Sequence, residues 1–172
     1  TSGGPFIFGT MNVNNTSGSQ AVGESTAGDL LQAETSSGTP IINVVGNMYL
    51  YFVMSGNQGF TKTGTGKLTF RYNSQPQPYT GNVTISAGTL GINADYSLGA
   101  SANNTINIAT GGALLLDNAT AGTQTLGASR IINLTGGSTC YIKCGANGDI
   151  LVVPGVIEST DGNFYYAGDT AL

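Results

Sequence analysis

Nine carboxylates are the side chains in this sequence with the most obvious capacity for chemistry: Glu24, Asp29, Glu34, Asp95, Asp117, Asp149, Glu158, Asp161 and Asp169. A polysaccharide-cleaving site needs acids clustered with a base, often around calcium, or two carboxylates a few ångströms apart. These nine are spread thinly. Asp95 and Asp117 are separated by about 22 residues, and a fold with that period stacks them on one side. Solvated turn residues have the same look. The chain has no histidine. That removes the commonest general acid–base near neutral pH and any Ser–His triad within the chain. The reading is a protein that is not an enzyme, with no catalytic residue, no cofactor and no metal site.

Other motifs carry little chemistry. Cys140 and Cys144 sit in CYIKC. In an extended strand they lie about 13 Å apart on one face, too far for a disulfide, so they read as two buried thiols. KTGTGK has glycines and lysines but not the spacing of a phosphate loop. GANGDILVV is a single, weak likeness to a glycine–aspartate calcium repeat and lacks a stacked partner. The N-x-[ST] sequons at Asn14, Asn15, Asn82, Asn103, Asn118 and Asn133 arise readily in an Asn/Thr-rich chain and mark outward faces if the source glycosylates. Tyr49, Tyr51, Tyr72, Tyr79, Tyr165 and Tyr166 are candidates to line a sugar-binding surface, or else pack as ladders. The basic residues are Lys62, Lys67, Arg71, Arg130 and Lys143. They form no run, which argues against a nucleic-acid partner.

Whatever these residues do, short strands must position them. Charged residues make up 8% of the chain and hydrophobic ones 40%, with 27 glycines and a net charge of −4. Disordered chains carry more charge and fewer apolar runs. No apolar run approaches the roughly 20 residues that span a bilayer. The sequence starts at Thr1 without an initiator Met or signal peptide, and so reads as processed or excerpted.

The strands recur as a module: two alternating apolar residues, a glycine, then two more. The copies are Val83 and Ile85, Gly88, Leu90 and Ile92; then Ile106 and Ile108, Gly111, Leu114 and Leu116; then Ile132 and Leu134, Gly136, Cys140 and Ile142. FTKTGTGKLTF supplies an earlier half-copy, with Gly66, Leu68 and Phe70. Period-2 alternation puts these apolar residues on one face, and glycine supplies the corners. Rungs of about 22–26 residues bury that face only by stacking on one another. The expected fold is therefore all-β, a right-handed parallel β-helix. It is one domain over residues 1–172, with divergent rungs over 1–55 and recognisable repeats over 56–172. A β-sandwich has similar strands but does not predict a recurring module.

The matching residues are Lys62, Gly64, Gly66, Leu68 and Phe70, then Tyr79, Gly81, Val83, Ile85, Gly88 and Leu90. In this order they resemble the autotransporter-associated β-strand repeat of bacterial surface-protein passenger domains. The likeness is strongest over residues 56–120. It implies an extracellular or cell-surface scaffold rather than an enzyme.

Phe164 to Leu172 is a looser copy of Phe60 to Leu68, and Pro5, Phe6, Gly9 and Val13 fall near the places of Pro78, Tyr79, Gly81 and Val83. On this reading the two ends are in phase, with Pro5, Phe6, Phe8, Phe164, Tyr165 and Leu172 forming the assembly surfaces. A helical cap is conceivable at TAGDLLQAET, which also fits a rung. Two functions follow: an adhesive or structural fibre subunit that stacks head to tail on itself, or an excerpt of a longer adhesin passenger. A carbohydrate-binding or polysaccharide-active β-helix, with surface glycans as partners, is a third.

Overall fold

The computed structural model describes residues 6–23, 30–71, 76–100, 104–117, 122–135, 139–145 and 148–160, with the backbone of 166–168. Gly136, Pro5, Phe164, Tyr165 and Leu172 lie outside these residues. The strands are short. The first turns contain β1 (Phe6–Phe8), β2 (Thr10–Val13), β3 (Ser19–Val22), β4 (Leu30–Ala33), β5 (Ile41–Val44), β6 (Asn47–Leu50) and β7 (Val53–Ser55). The middle turns contain β8 (Phe60–Thr63), β9 (Lys67–Phe70), β10 (Val83–Ile85), β11 (Gly88–Ile92), β12 (Thr105–Ile108) and β13 (Gly112–Leu116). The last contain β14 (Thr123–Thr125), β15 (Ile131–Leu134), β16 (Tyr141–Cys144), β17 (Ile150–Val152), β18 (Val156–Ser159) and β19 (Tyr166–Gly168).

Successive strands in the chain enter different sheets. β2, β5, β8, β10, β12, β15 and β18 form a seven-stranded first wall, and β3, β6, β9, β11, β13, β16 and β19 a seven-stranded second wall. β1, β4 and β7 make one part of a third wall, and β14 and β17 another. Every neighbour in these sheets pairs in parallel, for example β10 with β12 and β11 with β13. The architecture is a parallel β-helix. The segment TAGDLLQAET contributes a strand, β4, from its described residues.

Alternation explains the core. On the first wall Phe60, Val83, Ile106 and Ile132 stack in one inward column, and Lys62, Ile85, Ile108 and Leu134 in the next. On the second wall Leu68, Leu90, Leu114 and Ile142 stack, as do Ile92, Leu116 and Cys144. Phe70, Val83, Ile85, Leu90, Ile92, Ile106, Ile108 and Leu114 are all buried in one cluster. Each such side chain contributes roughly 1.5–3 kcal/mol by leaving water.

The register departs from the expected spacing. Asn12 pairs with Asn43, 31 residues on, and Asn43 with Thr63, 20 residues on. The turns therefore vary in length more than the repeat pattern implies. Leu114 pairs with Ile142, not with Cys140. The link between β15 and β16 is longer than that between β12 and β13, and it shifts the strand by one pleat. Such a two-residue slip keeps every inward residue inward, so alternation cannot reveal it. Cys140 stays buried just before β16, and its thiol donates to the Ile108 carbonyl at 3.1 Å.

The ends are also registered differently. The column of Phe60 runs to Ile157, and that of Leu68 to Tyr166. At the other end the Gly9 carbonyl accepts from Ile41 N and the Pro40 carbonyl from Thr61 N, which puts Gly9, not Val13, in the column of Val83.

Candidate functional site

Residues 60–92 give each repeated position a structural task. Phe60, Leu68 and Phe70 fill the interior, with the Phe60 and Phe70 rings edge-on at 5.9 Å. Tyr79 enters from the third wall and meets Phe60 at 5.6 Å. Its hydroxyl donates to the Ser97 carbonyl at 3.1 Å, and burial raises its pKa. Tyr79 is thus a core plug and cannot line a sugar-binding surface.

Lys62 points inward between Ile42 and Ile85. Its ammonium turns to the corner and donates to the carbonyls of Thr63 (2.7 Å), Gly64 (2.8 Å) and Ala87 (3.1 Å). The last belongs to the next layer, so Lys62 ties two corners together. Burial lowers its pKa from 10.5 to about 8.

The corner glycines serve two different needs. Gly88 and Gly111 have positive φ, as does Gly64. Gly66 does not; there an added Cβ would overlap the Gly46 carbonyl of the layer below. Its place is set by close approach of layers rather than by a left-handed turn.

A family model of the passenger-associated-transport-repeat matches residues 60–92. The chain is also similar to the "Adhesin BmaC autotransporter" of Brucella suis biovar 1 (strain 1330), at 32% identity over 145 residues, which is 80% of this chain and 4% of that protein. The chain carries the autotransporter passenger β-repeat. It spans about 4% of the length of that relative. No solved structure matches it.

The ladders run on beyond residues 60–92, while the third wall changes character in the middle of the chain. Among its described residues the third wall has no strand between the levels of β7 and β14; a single 3-10 turn, Asp95–Leu98, lies there. Arg130, 2% exposed, fills the gap. It donates to both Asp95 carboxylate oxygens (2.5 and 3.0 Å) and to the carbonyls of Asp95 (3.1 Å), Leu98 (3.1 Å) and Gly99 (3.0 Å). It also donates to Asn104 Oδ1. Asn104 in turn donates to the carbonyls of Leu98 (2.6 Å) and Gly81 (3.2 Å). Gln77 accepts from Met54 N at 2.6 Å, while its Nε2 is buried with no hydrogen-bond partner. Side chains here add to a few backbone bonds, such as Ala100 N to the Tyr79 carbonyl (2.9 Å) and Gln77 N to the Tyr96 carbonyl (3.2 Å), where the other walls have continuous backbone ladders.

The two acids that stand one turn apart in sequence are not brought together. Asp95 belongs to this buried node. Asp117 lies on the outer face of the second wall, where it accepts from Lys67 (2.9 Å) and Thr69 (2.9 Å). Lys67 and Thr69 belong to β9, so the carboxylate reaches across the intervening strand β11. Gly91 of β11 makes room: a Cβ there would sit 2.6 Å from Thr69 Oγ1 and 3.1 Å from Asp117. Arg71 lies 3.9 Å from the same carboxylate and 4.9 Å above the Tyr49 ring. Lys143 lies 4.7 Å above Tyr141.

Cys140 and Cys144 are free and buried. Among the described residues no three His, Cys, Asp or Glu side chains gather as a metal site, and no helix is long and apolar enough to cross a membrane. Sequence reasoning missed the roles of Lys62 and Arg130. The inward parity of Lys62, two residues after Phe60, was a usable signal; nothing local marks Arg130, whose partners lie 26 to 35 residues away.

Proposed function

We propose that this chain is part of the β-helical shaft of a cell-surface adhesin, a scaffold without catalytic activity that carries adhesive surfaces away from the cell. The passenger repeat over residues 60–92 is the observation that carries this reading. The adhesin likeness over 80% of the chain supports it. So does the separation of Asp95 from Asp117, each engaged by its own cation. Antibodies against the purified chain should label intact cells of the source organism, and external protease should remove the label. Labelling that needs cell lysis sinks the proposal.

Head-to-tail stacking is a second reading, and one observation favours it. The exposed large apolar side chains are Phe6, Ile7, Leu30, Ile41, Val45, Ile150, Val152, Val156 and Ile157. All nine belong to the first two layers or the last one. Inner layers show no such exposure among the described residues, so both ends suit a further layer, from a longer chain or from another copy. The seven layers at about 4.8 Å each are about 34 Å long. Electron microscopy of protein isolated from its source separates the two: threads with that axial repeat indicate a fibre, and threads should vanish when residues 160–172 are deleted. Discrete rods that do not join rule the fibre out.

A further inference from the structure

The chain has five cations, and the structure sorts them. Lys62 and Arg130 are buried. The other three, Lys67, Arg71 and Lys143, all stand on the outer face of the second wall, on β9, immediately after it, and on β16. An acidic protein of net charge −4 therefore presents every accessible positive charge on one face.

That face is also organised along the solenoid axis. Tyr49 and Arg71 form a cation–π pair on adjacent layers at one end, and Lys143 and Tyr141 a second pair on one layer at the other. With layers about 4.8 Å apart, Arg71 and Lys143 are about 14 Å apart along the axis, and the two tyrosines about 19 Å. The outward positions between them are Thr89, Gly91 and Ala113, which are small, Leu115, which is half-buried, and Asn93 and Asp117 in the column of Arg71. The result is a face with an aromatic ring and a cation at each end and the Asp117–Lys67 pair lying over Gly91 between them.

The carboxylate on this face does not repel an anion strongly, because Asp117 is held by Lys67 and Thr69. Among the described residues Arg71 and Lys143 donate no hydrogen bond; Arg71 stands 3.9 Å from Asp117 Oδ2, a charge contact beyond hydrogen-bond reach that leaves its N–H groups able to donate to a ligand. A guanidinium in this state grips a carboxylate or sulfate through two parallel bonds. Rings beside it offer flat apolar contact to a sugar. Too few cations are present for a nucleic-acid backbone, which needs many phosphate contacts.

We propose that the outer face of the second wall binds an anionic polysaccharide lying along the solenoid axis, with Arg71 and Lys143 taking successive acidic groups and Tyr49 and Tyr141 packing on sugar rings. The proposal rests on the chain being displayed outside the cell, where such polymers occur.

The test measures binding of the purified chain to immobilised polygalacturonate, heparin and neutral dextran. Retention on at least one anionic polymer, falling as salt rises, and none on dextran is the expected result. The double variant Arg71→Gln/Lys143→Gln should weaken binding about tenfold or more, since both contacts are charge-assisted. Tyr49→Ala should weaken it by a smaller factor. Glu158→Gln, on the outer face of the first wall, should leave it unchanged. All these side chains point outward, and circular dichroism verifies that each variant folds. No retention on either anionic polymer, equal retention on dextran, or an unaffected double variant overturns the proposal. So does equal binding to duplex DNA or to phosphatidylglycerol vesicles, which would reveal a general anion surface. Antibody labelling of cells reads the location separately: labelled cells with no retention defeat this inference alone, and retention with unlabelled cells defeats the proposed location.

Discussion

The first two walls and the middle of the third wall hold the same layers together by different means. On the first two walls backbone groups pair from strand to strand while columns of Leu, Ile and Val stack beneath them. In the third wall between β7 and β14 the side chains of Arg130, Asn104, Gln77 and Tyr79 supply much of the linkage, beside a few backbone bonds. A column accepts any apolar side chain of suitable volume, because burial is not directional. The node accepts only its own members, because each buried donor and acceptor needs a partner. A solenoid layer thus needs its polar groups satisfied by the next layer, but not necessarily by backbone.

The largest effect should come from breaking the node. Arg130→Met removes the cation paired with Asp95 and the donor to Asn104 Oδ1 and the Gly99 carbonyl, leaving Asp95 only the Gly127 N–H, and should cost about 3–5 kcal/mol in urea unfolding. Arg130→Lys should recover little, since one ammonium cannot replace a fork of donors. Hydrogen exchange should then accelerate first at residues 76–100. A loss below about 1 kcal/mol for Arg130→Met, or full recovery by lysine, would show that the node is dispensable.

A ladder residue should behave otherwise. Leu90→Ala should cost about 3 kcal/mol, from lost burial and a cavity, whereas Leu90→Met should cost less than about 1.5 kcal/mol. Unfolding midpoints of the pair measure this tolerance directly. If Leu90→Met were as damaging as Leu90→Ala, the contrast between the regions would collapse.

Lys62 is a buried cation inside a ladder and joins the two cases. Its folded-state pKa is about 8 against 10.5 when free. Between those values the folded protein has released a proton that the unfolded chain still holds, so stability rises with pH across the window. Measured against Lys62→Met, and with solvent screening at the corner allowed for, the wild type should gain on the order of 2 kcal/mol across that window. A difference that stays flat with pH would mean that the carbonyl cage keeps the ammonium charged.

The smallest effect belongs to the outer face. Asp117→Asn removes a part-exposed ion pair and should cost less than about 1 kcal/mol, with the loss shrinking further in high salt. A cost of several kcal/mol would promote the Asp117 bridge over Gly91 to the rank of the buried node.

Much of the ladder was legible in the sequence. The inward sets from Leu68 to Ile142 follow from period-2 alternation, and the corners from glycine. Register was not. The slip that places Ile142, rather than Cys140, opposite Leu114 moves the strand by two residues, and the pattern repeats every two. The same blindness hid which residues end the columns of Phe60 and Leu68: Ile157 and Tyr166 hold those places. Of the surface, the sequence offered tyrosines and acids but not their faces: Tyr79 went inside, Tyr49 stayed outside with Arg71, and Tyr141 escaped notice.

By itself, then, the sequence determined that short strands would stack as a parallel β-helix and which side chains would face inward, because both depend on residues two apart or one turn apart. Only the tertiary structure decided the register of each layer, the polar filling of the third wall, and the gathering of Lys67, Arg71 and Lys143 on one face. Those depend on the lengths of the links between strands, which local patterns do not encode, and on partners 20 to 50 residues away in the chain.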